Sequence, residues 1–459
     1  MDLKIRLERQ PMRGSSHIRT SHLGHSTNLQ RQWSIKSISR KGSTYLMQSP
    51  AFALRDDNYS IKEYQFHTYQ PYIPGKLGYN DEIRIPIQDR DALTVPANSY
   101  LYIEGQLLTH DNKVPTKLKF INNAIAYLFR EIRFELNGVV IDSVRDVGLV
   151  SSIKNYLSLN ENQSLQLQNA GWFPKRSRLE TNKEVPTNNV LVDSHGNFNV
   201  CIPLRLLLGF CEDFTKVILN VKMELILIRS NDDIDAVVSE DESERPKIDI
   251  TKLNWEVPHV TPSIREQLRL NKISHSNQEL PIKFRSWQMM EYPALNNSTR
   301  HTWSVRTSTK IETPRHIIVA FQNNRKSKLT KDMSKFDHCT LKNIKVFLNS
   351  ERYPYNDLQI DFKTNRFAKL YEMFANFQES YYHMTLNQPI FNPNDFQTIA
   401  PLVHIDCSRQ KEVVQVGSVV LRIEFETDEP TTSDISAYCL ILHEKEFTYN
   451  PLTKIVKQL

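Results

Sequence analysis

An all-β chain built from two similar sandwiches in tandem is the fold class that the sequence predicts. Three observations carry it. Short segments in which apolar and polar residues alternate recur from residue 79 onward, only two stretches show helical spacing, and features of the first half return in order in the second. Alternation with a period of two puts every second side chain on one face of a pleated backbone, the pattern of a half-buried strand.

The first such segment is EIRIPI, with Ile83, Ile85 and Ile87 on one face, and Tyr100, Tyr102 and the run to Leu108 form the next. In EIRFELNGVVI, Ile132, Phe134 and Leu136 lead into Asn137-Gly138, a pair that supplies the positive φ angles of a tight hairpin turn. Further strands are expected at residues 198–208, 217–229, 247–257, 282–291, 301–311, 315–322, 341–349, 401–407, 417–427 and 436–448. Helical spacing appears in NRFAKLYEMFANFQESYY, where Phe367, Leu370, Tyr371, Phe374 and Phe377 make one stripe of a helix of about four to five turns. The second helical stretch, Val147 to Leu157, carries Val150, Ile153, Tyr156 and Leu157 on one side. Such stripes pack cores far more often than they line cofactor sites.

The segment from Ile132 to Gly138 matches Ile344 to Ser350 at an offset of 212, and VILNVKME from Val217 matches VVLRIEFE from Val419 at an offset of 202. In both halves the hairpin-like segment precedes a helical one. Three features repeated in one order argue for two similar β domains. They are joined near residues 258–280, a polar stretch that reads as irregular.

Hydrophobic residues make up 39% of the 459 and aromatics 10%, enough to fill cores and to exclude wholesale disorder. The 12 glycines are scattered, with no G-x-G-x-x-G and no G-x-x-x-x-G-K-S/T, which excludes dinucleotide and P-loop phosphate chemistry. No apolar run reaches the roughly 18 residues of a membrane span. The opening MDLKIRLERQP alternates charge with Leu and Ile where a secretory signal would carry an unbroken apolar block. Cys201, Cys211, Cys339, Cys407 and Cys439 form neither a C-x-x-C pair nor a dense disulfide framework, so reduced thiols in a protein made inside a cell are expected.

Charge is uneven. In the first 50 residues Lys4, Arg6, Arg9, Arg13, Arg19, Arg31, Lys36, Arg40 and Lys41 oppose only Asp2 and Glu8, a balance of +7 in a chain whose net charge is +6. The body is close to neutral. The basic stretch is rich in Ser, His, Gln and Gly and lacks an apolar period, so a flexible arm is expected.

Candidate chemistry is sparse. His404, Asp406 and Cys407 lie close, but in an alternating strand residue 407 points away from 404 and 406, and no second group has zinc-ligand spacing, so no metal is expected. Nothing local marks a Cys-His nucleophile pair. Glu424 and Glu426 share a strand face and could serve as acid and base, but exposed strand carboxylates are far commoner. The acidic stretch 232–244 and the basic stretch Arg325 to Lys335 read as two solvated loops; the sharper reading has them meet across a subunit boundary, where opposite charge selects register.

Four segments of the second half carry a resemblance: PRHIIVAFQ from Pro314, LKNIKVFLNSERYPYNDLQIDF from Leu341, PLVHIDCSRQ from Pro401 and AYCLILHEKEFTYNPLTKIV from Ala437. With NNAIAYLFREIRFELNG of the first half, they resemble the double jelly-roll major capsid proteins of Polinton/Maverick elements and adintoviruses, distant relatives of adenovirus hexon. The most specific parts are His404, Asp406, Cys407, Ser408, Arg409 and Gln410, and Tyr449, Asn450 and Pro451, read as a structural motif. The basic arm lies outside the resemblance.

What the resemblance implies is a fold of two tandem eight-stranded jelly-roll sandwiches with a few short helices and long loops. A basic arm (1–55) would precede a first jelly roll (56–265), a linker (266–280) and a second jelly roll (281–459). It also implies a non-enzymatic shell subunit that needs no cofactor, forms homotrimers as pseudo-hexameric capsomers, and tiles an icosahedral particle around double-stranded DNA. Its partners would be neighbouring capsomers, penton and minor capsid proteins, and packaged DNA touched by the arm. The chain would be assembled in a host cell and reside in the virion, without a membrane span. The alternative is a two-domain β-sandwich that binds or cleaves carbohydrate on a concave, aromatic-lined sheet. A nucleic-acid-binding module is a third reading that rests on the arm alone, since the neutral body lacks a basic stripe.

Overall fold

The computed structural model describes residues 61–72, 77–88, 93–175, 191–305, 314–349, 351–409 and 420–459; the nine basic residues of the arm and Gln410 lie outside them. The first half contributes β1 (Ile61–Tyr69), β2 (Glu82–Ile87), β3 (Tyr100–Thr109), β4 (Lys119–Phe120), β5 (Phe129–Leu136), β6 (Val139–Arg145), β7 (Asn197–Pro203), β8 (Met223–Arg229), β9 (Val237–Val238) and β10 (Pro246–Pro262). The short β4 and β9 pair with each other, and the rest form two sheets in the orders β1-β10-β3-β7 and β2-β8-β5-β6. The second half contributes β11 (Leu280–Tyr292), β12 (Arg300–Val305), β13 (Pro314–Asn323), β14 (Leu341–Leu348), β15 (Glu351–Tyr353), β16 (Val403–Asp406), β17 (Leu421–Thr427), β18 (Ile435–Asn450) and β19 (Ile455–Gln458). Their orders are β11-β18-β13-β16, with β19 against the end of β18, and β12-β17-β14-β15.

With β4, β9 and β19 set aside, both halves follow one winding. The first, eighth, third and sixth strands make one sheet, and the second, seventh, fourth and fifth make the other. This is a jelly roll repeated in succession, a double jelly roll. β5 shows how the alternation builds it: Ile132, Phe134 and Leu136 are buried against the facing sheet while Arg133 and Glu135 between them stay partly exposed.

Short helices fill the connections: α1 (Ala124–Tyr127), α2 (Val147–Ser158), α3 (Glu161–Gln166), α4 (Gly209–Asp213), α5 (Ile264–Ser274), α6 (Ala368–Ala375), α7 (Phe377–Tyr382) and α8 (Pro393–Ile399). α2 fulfils the expected second helix but is buried on every side rather than along one stripe. The long helix expected from Phe367 divides at Asn376 into α6 and α7. Asn is a poor helix-interior residue because its side chain competes for local hydrogen bonds, and here its amide reaches Glu372 Oε1 at 3.1 Å. One apolar core runs through both halves. Phe134 stacks on Phe210 of α4 at 4.8 Å, Phe210 meets Phe284 of β11 edge-on at 5.3 Å, and Phe284 lies parallel to Phe447 of β18 at 6.2 Å.

Three expectations are corrected. The stretch 258–280 is not irregular: its start completes β10, and α5 follows. Leu270 of α5 packs inward on Val95, Val217, Leu219 and Val260, while Ile264 and Leu268 face outward, which blurred the helical period. β1 escaped the alternation test because Tyr64 and Phe66, its aromatic residues, are exposed rather than facing a core. Finally, the offset of 212 aligns β5 with β14 residue for residue, but the offset of 202 does not hold. Leu136 pairs with Met223 and Leu348 with Leu421, which sets β8 on β17 at an offset of 198. The slip of four is even, so every side chain keeps its face and the mismatch leaves no trace in the pattern.

Candidate functional site: the contact between the two sandwiches

Where α4 of the first half meets β11 of the second, Asp213 grips Arg285. Arg285 Nε donates to Asp213 Oδ2 at 2.7 Å, Nη2 to Oδ1 at 2.6 Å, and its backbone N–H to Oδ2 at 2.9 Å. A bidentate pair of this kind fixes orientation as well as distance. One residue earlier, Glu212 accepts from Lys154 Nζ of α2 at 3.0 Å and from Tyr381 Oη of α7 at 3.0 Å, and also bonds Tyr382 Oη. Lys154 donates further to Ser158 Oγ at 2.8 Å and lies over the rings of Tyr381 and Trp287.

Lys154 is 1% exposed at its side chain. Burial pulls its ammonium down to about 8, against the pull of Glu212. Burial alone would raise the Glu212 carboxyl, but Lys154 and Arg285 outweigh it and hold it below the usual range. Beside this cluster Asp142 of β6 accepts from Ser286 Oγ of β11 at 2.6 Å and from Phe210 N–H at 2.9 Å. Gly209 is required here, since a Cβ would come within 1.9 Å of the Arg285 carbonyl oxygen. The sequence reading singled out none of these residues. The one legible signal was Lys154, which falls on the apolar stripe of its helix between Val150 and Leu157.

The motif residues divide between two places. His404 sits on β16 beneath α6 and α7. Its Nδ1 lies 2.9 Å from the Met373 carbonyl, which can only accept, so Nδ1 carries the proton and Nε2 accepts from His316 Nδ1 at 3.1 Å. Burial holds both imidazoles below their ordinary range. Asp406 faces solvent and accepts from Ser408 N–H at 2.8 Å. Cys407 turns inward, its N–H on Arg315 O at 2.8 Å and its thiol pushed far up by burial, which opposes nucleophilic use. Arg315 Nη1 donates to Ser408 O at 3.0 Å, and Arg409 is exposed. Among the described residues no group of three His, Cys, Asp or Glu could hold a metal ion. Glu424 and Glu426 are taken up by Arg422 and Arg300, at 3.2 and 3.1 Å.

Tyr449, Asn450 and Pro451 lie instead where the second half crosses the first. Tyr449 Oη donates to Leu219 O at 2.8 Å, and Asn220 Nδ2 donates to Pro451 O at 3.1 Å. Asn450 donates to Asn277 Oδ1 at 2.8 Å and caps the following turn through Leu452 and Thr453 N–H.

The acidic and basic loops correct the expectation of two solvated loops. They are not two separate solvated loops, and within this one chain they touch: Ser327 N–H donates to Asp235 Oδ1 at 2.7 Å and Ser239 N–H to Leu329 O at 2.8 Å. Their charges are neutralised elsewhere, Arg325 by Asp337, Lys326 by Glu291 and Asp241 by Lys117. Burial pushes the Asp235 carboxyl up to about 6.

The double jelly roll-like domain family matches residues 118–446, and the chain belongs to it. Among solved structures, PBCV-1 VP54 fitted into a reconstruction of the virophage Sputnik is similar at a TM-score of 0.55 and 10% identity, over 87% of this chain and 97% of that one. The Faustovirus major capsid protein gives 0.53 at 9% identity, over 84% and 90%. The mavirus major capsid protein gives 0.52 at 12% identity, over 96% and 97%. At these identities the likeness is one of fold. No curated protein sequence matches the chain. No helix among the described residues is long and apolar enough to cross a membrane.

Proposed function

We propose that the chain is a major capsid protein, a non-enzymatic subunit that trimerises into pseudo-hexameric capsomers and builds an icosahedral shell around double-stranded DNA. The observation that carries this is the repetition of one eight-stranded winding, tied across its junction by the Asp213–Arg285 ion pair. Two like wedges held rigidly in one chain, taken three times, give six, the outline that tiles a shell. The fold likeness to the mavirus and Faustovirus major capsid proteins supports the same reading. In this reading the jelly rolls span residues 56–265 and 281–459 with 266–280 between them, and the lineage is that of Polinton/Maverick elements and adintoviruses. Neighbouring capsomers, penton and minor capsid proteins are the partners, and the virion is the location. Within the arm of residues 1–55, the first 50 residues carry nine basic side chains that suit the phosphates of packaged DNA.

Light scattering and electron microscopy of the purified full chain test this. Trimers or particles are expected, with obligate contacts that bury more than about 2,000 Å². A stable monomer at micromolar concentration would remove the proposal.

A further inference from the structure

Where the tail of the second half crosses the first, a cleft of about 320 Å³ is lined by Asn137, Gly138, Asn220, Lys222 and Lys454. Its walls are fixed by hydrogen bonds. Asn137 Oδ1 accepts from Lys222 N–H at 3.0 Å, Asn137 Nδ2 donates to Lys454 O at 2.7 Å, and Asn220 Nδ2 holds Pro451 O. The mouth is open, since a Cβ at Gly138 would meet nothing within 4 Å. Two lysines are therefore among the residues that line a hydrogen-bonded, open cleft. Among the described residues Glu224 alone opposes them, 3.9 Å from Lys222 Nζ, and that carboxylate also faces Arg84 at 3.8 Å. Lys454 has no ion pair with a described carboxylate. The repeat supplies an internal control: in the second half the place of Lys222 is taken by Val420, which is 63% exposed, so the fold does not demand a lysine there.

The cleft also lies at the end of the molecule where residues 1–60 are joined. Ile61 pairs with Pro262, α5 follows Pro262, Leu270 of α5 packs with Leu219, and Asn220 is the next residue in the cleft. We propose that this cleft is a phosphate site for the backbone of packaged nucleic acid, with Lys222 and Lys454 as its cations. For the identity of its ligand the site rests on the capsid reading; the excess of positive charge does not.

The test uses the full chain and a short DNA duplex, with affinity measured against salt concentration. The variant K222Q/K454Q is compared with K113Q/K328Q, which removes equal charge from exposed loops at the other end. Each phosphate that a lysine ceases to neutralise lowers the slope of log affinity against log salt by about 0.9, so the slope should fall by about 1 to 2 in the cleft variant and stay unchanged in the control. Lys222 is 44% exposed at its side chain, so the change spares the fold. An unchanged slope in the cleft variant, or equal reductions in both variants, overturns the site. Vesicles of anionic phospholipid that bind the chain more tightly than the duplex, and no longer do so without the two lysines, overturn the nucleic-acid assignment. A chain that stays monomeric yet shows the reduced slope in the cleft variant sinks the capsid reading and leaves the phosphate site standing.

Discussion

Asn137 and Asn349 occupy the same turn of two successive jelly rolls. Each has a left-handed backbone, with φ of 49° and 54°. Each donates its N–H to the residue that precedes the seventh strand of its half, Lys222 O at 2.9 Å and Val420 O at 3.0 Å. Each accepts that residue's N–H on its side-chain oxygen, at 3.0 and 2.9 Å. Asn tolerates the left-handed region better than most residues, and the short amide reaches back to the backbone.

The pair predicts its own mutational signature. Asn137→Ala and Asn349→Ala should each cost about 1–3 kcal/mol, from a strained turn and an orphaned backbone N–H. Asn137→Ala should cost more, because Asn137 also holds Lys454 O. Replacement by Gly removes the strain but does not restore the side-chain hydrogen bonds, so the Gly variants should fall between. Chemical denaturation checks the order; equal costs at both positions would contradict the tail contact.

At the junction, Lys154→Met should cost about 3–5 kcal/mol by leaving Glu212 buried without its cation, and Glu212→Gln should do similar harm. The double variant K154M/E212Q should be more stable than either single one. A double variant destabilised by the full sum of the two would mean that the residues do not act as a pair. Thermal melts of the three proteins decide it.

Gly209→Ala forces a methyl group against the Arg285 carbonyl, and either α4 or β11 must move. A destabilisation of about 1–3 kcal/mol is expected. Gly138→Ala is the comparison: it has space, and only its positive φ opposes the change. Should the two substitutions shift the melting temperature equally, steric closeness at the junction is not what makes Gly209 necessary.

Acid should loosen the second sandwich. His316, His404 and His443 are held below the ordinary imidazole range chiefly by burial, His443 at about 4. His316 also faces His404, Arg285, Lys154 and Arg315, all of which disfavour its charge, with Asp406 at 3.8 Å as the counterweight. A folded value below the unfolded one means that the unfolded chain takes up protons first. Stability is therefore full above about pH 6.5 and falls below it, by at most about 1.4 kcal/mol per pH unit for each histidine, until the folded group itself ionises. His404→Gln should flatten that slope. A melting temperature that stays constant from pH 7 to pH 5 would be the contrary result.

Strands with one buried face were legible because burial repeats with the backbone: Ile132, Phe134 and Leu136 could be read directly. β1 could not, since Tyr64 and Phe66 bury no face against a core, and α5 was hidden by outward Ile264 and Leu268. The junction was nearly silent for a different reason. Arg285 and Asp213 stand 72 residues apart, and no local pattern links a charge to a partner at that distance. The motif of residues 404–409 was found by likeness, but that His404 pairs with His316, 88 residues earlier, follows only from strand order.

The hydrogen bond from Asn220 to Pro451 spans 231 residues of chain, and its neighbour from Tyr449 to Leu219 spans 230. A ribosome adding about 5–20 residues per second reaches Pro451 roughly 10–50 s after Asn220. Once Pro262 has been made, early in that interval, the first jelly roll has all eight of its own strands while the rim at Leu219 and Asn220 still awaits residues not yet made. Translation order thus places a delay between the folding of that sandwich and the closing of its rim, and the long separation makes the closing contact among the slowest in the chain to form.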